Sequence, residues 1–178
     1  MLAANMEPGV SRDFLSEDWD HLLPKKVWYD VLDEANDLVD LSVETDIQGY
    51  DIDDQMVTIS RENAKRAGVE RLIHFQRRPV SALSHPKKYG FLITNPPYGE
   101  SLEEKAKLPE LYGALGERYR LLDSWSLYVI SAYEKAERDI GRKADKNRKI
   151  YNGMMKTYFY QYLGPKPPRR QKAGERAE

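Results

Sequence analysis

The chain has 178 residues, of which 40% are hydrophobic and 32% are charged, and its mean hydropathy is −0.73. These values are typical of one soluble globular domain with a real core. No apolar run approaches the roughly 18 residues of a membrane span and the first residues are not a signal peptide, which fits a cytoplasmic protein without a membrane partner. The absence of cysteine excludes disulfides, thiol catalysis and Cys-ligated zinc. Its three histidines, His21, His74 and His85, lack metal-ligand spacing, so no metal site is predicted.

The pattern of apolar residues predicts helices that alternate with strands through most of the chain. In chain order, the predicted elements are a helix over 24–40, a strand over 46–53, a helix over 54–68, strands over 71–78 and 89–95, a helix over 109–122, a strand over 125–132 and a short helix over 133–141. Residues 147–163 then form two strands across Asn152 and Gly153, a strong hairpin signal. This order predicts an α/β fold whose mainly parallel sheet ends in an antiparallel hairpin.

Charge is distributed unevenly along the chain. Residues 142–178 contain 11 Lys or Arg against 3 Asp or Glu, whereas residues 1–141 contain 17 against 26. Aromatic residues are interleaved with these basic residues, namely Tyr151, Tyr158, Phe159, Tyr160 and Tyr162. Such a combination is typical of a face that contacts a polyanion. A solvated pair of strands followed by a basic, disordered tail over 164–178 has the same composition, so charge alone leaves both interpretations open.

Two motifs lie at predicted carboxyl ends of strands, where open α/β sheets bind their ligands. They occupy residues 49–53 and 95–98, and we expect them at the same edge of the sheet. Asp51 ends its strand just before a helix, a position where an acid accepts hydrogen bonds from both hydroxyls of a ribose. Asp51 could instead cap that helix, but Asp53 or Asp54 can serve as the cap, so ribose binding is favoured.

The sequence Asn95-Pro96-Pro97-Tyr98 is the more specific of the two motifs. An exocyclic NH2 group is a poor nucleophile because its lone pair is delocalised into the attached ring or carbonyl. The Asn95 side-chain oxygen and the Pro96 carbonyl could accept both of its N–H bonds and favour a pyramidal nitrogen, while the two prolines hold these acceptors rigidly. Tyr98 could stack on a flat substrate. The alternative is a Pro-Pro loop that simply ends a strand.

These motifs give the chain a resemblance to the class I S-adenosylmethionine-dependent methyltransferases that modify amino groups. The pattern is Asn-Pro-Pro-Tyr after an apolar strand, with an acidic strand end further upstream. Over residues 1–170 the chain looks like the THUMP-associated guanine-N2 rRNA methyltransferases, many of which are called N6-adenine-specific DNA methylases from this motif alone. The segments that carry this closer resemblance are 47–76, 87–100, 111–132 and 141–169.

The resemblance implies a Rossmann-like class I methyltransferase fold, S-adenosylmethionine as cofactor and RNA as partner. It implies that Asp51 binds the cofactor ribose and that Ile52 flanks the adenine. Residues Asn95 to Tyr98 would hold the target amino group, with Asn95 also next to the cofactor and Tyr98 against the substrate base. The resemblance further places the loop 144–153 near the RNA, and the residues there that would bind it are Lys146, Arg148 and Asn152.

Two features depart from this family. No Gly-x-Gly-x-Gly sequence occurs in the chain, although in the family such a loop follows the first strand and holds the methionine part of the cofactor. Residues 1–5 resemble the end of the next helix, so we expect a partial catalytic domain over 1–163 whose missing central strand leaves two strands with unpaired edges. Pro79 stands where the family has an acid that holds the adenine amino group, so weaker cofactor binding is expected.

Three functions therefore remain open. The first is methylation of an exocyclic amine, with guanine N2 in large-subunit rRNA as the implied target. The second is a non-catalytic or degenerate fragment that needs another segment to fold or to bind cofactor. The third is methylation of adenine N6 in DNA or of a glutamine amide in a protein. The basic C-terminal segment favours a nucleic acid, and the choice of guanine rests on the resemblance alone.

Overall fold

The computed structural model describes residues 1–168 except Pro8, Val10, Ser11 and Glu100, and it describes the backbone of Asn152 but not its side chain. The chain divides into two compact units, Met1–Arg78 and Pro79–Glu178. The predicted tail at 164–178 is described only as far as residue 168. Within the described ranges, no helix has the length and apolar character needed to cross a membrane.

The first unit contains a two-stranded parallel sheet. Its elements are α1 (Lys25–Asp37), β1 (Ile47–Asp51), α2 (Asp54–Arg66) and β2 (Ile73–Arg77), with 3-10 turns at Leu2–Ala4, Leu15–Asp18 and Glu70–Leu72. In the register of β1 and β2, Gly49 is the partner of Phe75, and a Cβ at Gly49 would lie 2.6 Å from the Phe75 ring. Val57 and Ala64 of α2 are buried. The glycine therefore allows the Phe75 ring to lie directly over the β1 backbone.

The second unit is a four-stranded sheet with helices on one face. Its elements are β3 (Phe91–Thr94), α3 (Leu102–Leu121), β4 (Ser126–Ser131), α4 (Ala136–Ile140), β5 (Lys146–Asn152) and β6 (Met155–Tyr162), with a 3-10 turn at Val80–Ala82. The strand order is β3-β4-β6-β5, in which β3 and β4 are parallel and the other pairs are antiparallel. The buried core consists of Leu108, Tyr112, Leu115, Tyr119, Leu127, Val129, Ala136, Ile140, Tyr160 and Tyr162.

The predicted order of elements is confirmed, with two differences in their bounds. Helix α3 begins at Leu102 rather than at 109, because Ser101 caps it by accepting the Glu104 N–H at 3.1 Å. Pro109 therefore lies inside the helix, where it removes one backbone hydrogen bond. The neighbouring Leu108, only 2% exposed, anchors this turn in the core.

The second difference concerns residues 144–153. The resemblance implied a loop there, but residues 146–152 form the edge strand β5. The hairpin turn is also one residue later than predicted, because Asn152 pairs with Met155 and leaves Gly153 and Met154 in the turn. Gly153 has φ +60°, which glycine adopts without strain. A two-residue turn of this kind suits the twist of the hairpin.

The strands β1 and β3 each have one paired edge among the described residues. Strand β1 pairs with β2 and strand β3 pairs with β4, in two separate sheets. Strands β2 and β5 also have one paired edge among these residues, so a strand missing between β1 and β3 stays a prediction. On β3, the apolar side chains of Phe91 and Ile93 are 69% and 76% exposed. They point away from the face that carries α3 and α4, where the core lies.

We predict that Gly116→Ala lowers the free energy of unfolding by about 1–3 kcal/mol, because the change overpacks the contact between α3 and α4. A Cβ at Gly116 would lie 2.1 Å from the Ile140 carbonyl oxygen. Gly113→Ala in the same helix is the matched control, since its Cβ would approach no closer than 3.9 Å. The control should gain roughly 0.5–1 kcal/mol from helix propensity. Urea denaturation measures the free energy of unfolding of both variants. A higher free energy of unfolding for Gly116→Ala as well as for Gly113→Ala would contradict the close packing.

Candidate functional site

Asp51 closes β1 and shapes the turn into α2. Its Oδ1 accepts a hydrogen bond from the Asp53 N–H at 2.9 Å, and its carbonyl accepts the Arg78 N–H at 2.8 Å. The helix cap is Asp53, whose side chain accepts the Gln55 N–H at 2.8 Å. Asp51 is thus not the cap of α2, and its exposed carboxylate keeps one oxygen, Oδ2, without a hydrogen bond among the described residues.

The residues around Asp51 present an apolar surface flanked by arginines. Ile52 is 65% exposed, and its carbonyl accepts a hydrogen bond from the Arg77 Nε at 2.9 Å. The Arg78 guanidinium lies 4.9 Å from the centre of the Tyr50 ring. The exposed Ile52 side chain next to a free carboxylate oxygen suits a nucleoside, whose base is flat and whose ribose carries two hydroxyls.

Pro79 has no polar group in its side chain. It adopts φ −70° and precedes the 3-10 turn Val80–Ala82, where its carbonyl accepts the Ala82 N–H at 3.0 Å. A proline has no N–H to donate. The structure therefore gives this residue a role in starting a turn.

The residues Asn95 to Tyr98 continue directly from the end of β3. Asn95 is exposed, Pro96 is buried and Tyr98 is half-buried. The Tyr98 hydroxyl donates a hydrogen bond of 2.7 Å to the Asn95 Oδ1. This bond fixes the Asn95 amide at the strand end and leaves its carbonyl oxygen one further lone pair for a donor. The structure thus brings the two ends of the motif together.

A buried group of polar side chains lies at the end of β4, and the sequence did not indicate it. The Tyr112 hydroxyl and the Ser131 Oγ are 2.5 Å apart, and this Oγ accepts the Tyr133 N–H at 2.9 Å. The Tyr112 and Tyr133 rings lie 5.0 Å apart. Burial raises the pKa of Tyr112 to about 12, and the nearby Tyr98 hydroxyl adds a smaller increase. Tyr112 therefore stays neutral near the motif.

The predicted RNA-contacting residues lie on the hairpin. Lys146 and Arg148 are partners of Gln161 and Phe159, so both are on the sheet face opposite α3 and α4. The Asn152 side chain lies outside the described residues. Asp51 and Asn95 belong to different units, so their common edge stays a prediction. No cluster of acidic or histidine side chains in the described part of the chain could hold a metal ion.

Residues 1–161 match the family described as "RMKL-like, methyltransferase domain". The chain belongs to this family. The protein YpsC of Bacillus subtilis, whose name assigns it to the RNA methyltransferases, is 38% identical over 172 residues, which are 97% of this chain and 44% of YpsC. The ribosomal RNA large subunit methyltransferase K/L of Shewanella pealeana is 34% identical over 168 residues, which are 91% of this chain and 23% of that protein. The chain thus spans less than half the length of these relatives.

Two solved structures of similar proteins share the fold of this methyltransferase domain. A possible methylase from Clostridium difficile has 48% sequence identity and a TM-score of 0.87, and the match covers 96% of this chain and 45% of that one. The protein SMU.472, solved in complex with SAH, has 36% identity and a TM-score of 0.85, with 94% of this chain and 44% of that one covered. These matches confirm the predicted methyltransferase fold.

We predict that stability at alkaline pH depends on Tyr112. The pKa of this buried hydroxyl is raised to about 12, so the unfolded chain loses its proton first as the pH rises. The contribution of Tyr112 is complete below about pH 10 and is lost between about pH 10 and 12. In urea titrations, Tyr112→Phe should therefore give a shallower fall in unfolding free energy over this range. An unchanged slope relative to wild type would contradict the prediction.

Proposed function

We propose that the chain is the catalytic-domain portion of an S-adenosylmethionine-dependent RNA methyltransferase that acts on guanine N2 of large-subunit rRNA. The observation that carries this proposal is the Asn95 amide, held at the end of β3 by the Tyr98 hydroxyl. Membership of the RMKL-like methyltransferase family supports methyl transfer, and the name of the K/L relatives supports rRNA. With such a substrate, the protein works in the cytoplasm.

The cofactor proposal is supported by SAH in the structure of SMU.472, because SAH is what remains of S-adenosylmethionine after methyl transfer. The residues of this chain suit some parts of S-adenosylmethionine and not others. The free oxygen of Asp51 and the exposed side chain of Ile52 suit the ribose and the adenine. Pro79 offers the adenine amino group no side-chain acceptor, and the chain has no Gly-x-Gly-x-Gly loop for the methionine part.

Asn95 and Pro96 position the target amino group and make it more nucleophilic. When bound, S-adenosylmethionine supplies an electrophilic methyl group. The Asn95 Oδ1 and the Pro96 carbonyl accept the two N–H bonds of the target amine and so direct its lone pair out of the plane of the base. Pro97 keeps these acceptors fixed, and the Tyr98 ring stacks on the base. A strong general base is not required, because the nitrogen becomes cationic on methylation and then readily loses its proton to water.

We predict that Asn95→Ala lowers methyl transfer by about 100-fold or more, because one of the two amine acceptors is lost. Binding of S-adenosylmethionine, measured by calorimetry, should change by less than about twofold. Transfer is measured with radiolabelled cofactor and unmodified rRNA, and mass spectrometry identifies the methylated nucleoside. Equal losses of transfer and cofactor binding would give Asn95 a structural role. A product other than N2-methylguanosine would refute the target.

Tyr98→Phe separates the two roles of the tyrosine. The ring that stacks on the base remains, but the hydroxyl that holds the Asn95 Oδ1 is lost. We expect an intermediate loss of transfer, about fivefold, since one hydrogen bond contributes roughly 1 kcal/mol. Wild-type transfer by this variant would show that Asn95 needs no support from Tyr98.

We predict that Pro79→Asp strengthens binding of S-adenosylmethionine by about tenfold, because a carboxylate supplies the acceptor that the adenine amino group lacks. Pro79→Ala is the control, since it removes the ring without adding an acceptor. Calorimetry compares both variants with the wild-type chain. If Pro79→Asp and Pro79→Ala bind S-adenosylmethionine with the same affinity, residue 79 is not part of the cofactor site.

A non-catalytic fragment is the second candidate function. It is favoured by the single paired edges of β1 and β3 and by the exposed Phe91 and Ile93 side chains. Such a fragment binds S-adenosylmethionine only when another segment completes the sheet. Micromolar binding of the cofactor to this chain alone would refute this candidate, and negligible binding would support it.

A further inference from the structure

The hairpin of β5 and β6 extends past the ends of β3 and β4. Ser131, the last residue of β4, is the partner of Tyr158, so β6 continues for three residues beyond this point to Met155. These residues and their β5 partners span about 10 Å at 3.3 Å per residue. Strands β3 and β4 are parallel, and Thr94 is the partner of Val129. The hairpin tip therefore projects from the edge of the sheet at which Asn95 follows β3.

One face of this projecting hairpin carries alternating lysines and tyrosines. We name Lys149, Tyr151, Lys156 and Tyr158 the Lys–Tyr face, because Lys149 is the partner of Tyr158 and Tyr151 is the partner of Lys156. The Lys149 Nζ lies 5.1 Å from the centre of the Tyr151 ring, and the Lys156 Nζ lies 5.0 Å from that of Tyr158. These contacts hold each ammonium group beside an aromatic ring.

Lys149, Tyr151 and Lys156 of the Lys–Tyr face are exposed, and the face carries positive charge, whereas Tyr158 is half-buried against the core. Tyr151 is 61% exposed, and Met154 at the tip is 99% exposed. Residues 142–163 contain six Lys or Arg and a single acid, Asp145, which is paired with Arg142 at 2.8 Å. Among the described residues, neither lysine of this face forms a salt bridge, although Glu134 is near enough to Lys156 to raise its pKa slightly, after the larger effect of the Tyr158 hydroxyl.

This combination suits a single-stranded nucleic acid. Exposed aromatic rings stack on bases, and neighbouring cations contact the phosphates. In a duplex the bases are already stacked on one another, so a ring such as Tyr151 finds a free base only in a single strand. Strand spacings of about 4.8 Å put β6 roughly 10 Å from β3, which is a distance of a few nucleotides.

We propose that the Lys–Tyr face binds the single-stranded RNA that flanks the target nucleotide. Tyr151 stacks on a flanking base, and Lys149 and Lys156 contact phosphates. The proposal rests on the proposed function, which supplies RNA as the substrate, and deepens it by locating the flanking nucleotides. It differs from the assignment implied by the family resemblance, since Lys146 and Arg148 lie on the opposite face of β5.

The test uses the full chain and a fluorescein-labelled single-stranded RNA of mixed sequence, with affinity measured by fluorescence anisotropy at several KCl concentrations. The double variant Lys149→Ala with Lys156→Ala should bind at least tenfold more weakly at low salt. Its slope of log K against log [KCl] should fall by about 1.4, or roughly 0.7 for each phosphate contact. The matched control, Lys26→Ala with Lys65→Ala, removes two exposed lysines from α1 and α2 and should keep the wild-type slope.

The stacking contact has its own pair of variants. Tyr151→Ala should bind about tenfold more weakly, whereas Tyr151→Phe keeps the ring and should stay within about twofold of wild type. Circular dichroism checks that each variant is folded. Wild-type affinity and salt slope in the double lysine variant, or equal affinities of the alanine and phenylalanine variants, would overturn the proposal.

The result also separates this inference from the proposed function. Hairpin-dependent binding of RNA together with a product other than N2-methylguanosine would support the Lys–Tyr face and refute the target. Formation of N2-methylguanosine by hairpin variants that bind and methylate RNA like wild type would support the target and refute the Lys–Tyr face.

Discussion

The register between β4 and β6 is the constraint on which the second unit depends. Leu127 is the partner of Tyr162 and Val129 is the partner of Tyr160, and each of these four side chains is at most 3% exposed. A shift of one residue would turn them all to the other face, so burial under α3 and α4 fixes the register. The same register sets how far the hairpin extends beyond Ser131. Packing of the core thus determines the position of the Lys–Tyr face.

The neighbouring parallel strands β3 and β4 both end in hydrogen-bonded polar side chains, which differ in burial. After β3, the Tyr98 hydroxyl holds the exposed Asn95 amide. In the last residue of β4, the Ser131 hydroxyl joins the buried hydroxyl of Tyr112. The exposed Asn95 amide can accept a bond from an incoming donor, whereas the buried pair of Ser131 and Tyr112 is costly to open because its hydroxyls would lose their partners away from water. We infer that the group at β4 supports the edge and that the group at β3 meets the substrate.

Much of the fold follows from local sequence patterns. Strands and helices alternate as predicted, and Asp53 caps α2, which leaves Asp51 available. The bounds of α3 were wrong because Pro109 favours a helix start, while packing of Leu108 places it in the interior. The resemblance gave a loop near Arg148, whereas the sequence pattern over 147–163 correctly predicted a hairpin strand there. The packing of Leu108 joins residues far apart in the sequence, so periodicity alone does not reveal it.

Buried apolar side chains are divided unequally between the two units. This difference predicts which unit loses its binding activity first when the protein is destabilised. Among the described residues, the first unit buries Ala4, Val57, Ala64 and Val69, whereas the second unit has a cluster of ten buried residues. Helix α1 leaves Val27, Tyr29 and Val31 exposed. Because burial is the main source of stability, the second unit has the larger share of it. Asn95 and the Lys–Tyr face belong to that better-packed unit, and Asp51 belongs to the other. Under the proposed function, mild destabilisation should therefore affect cofactor binding before RNA binding.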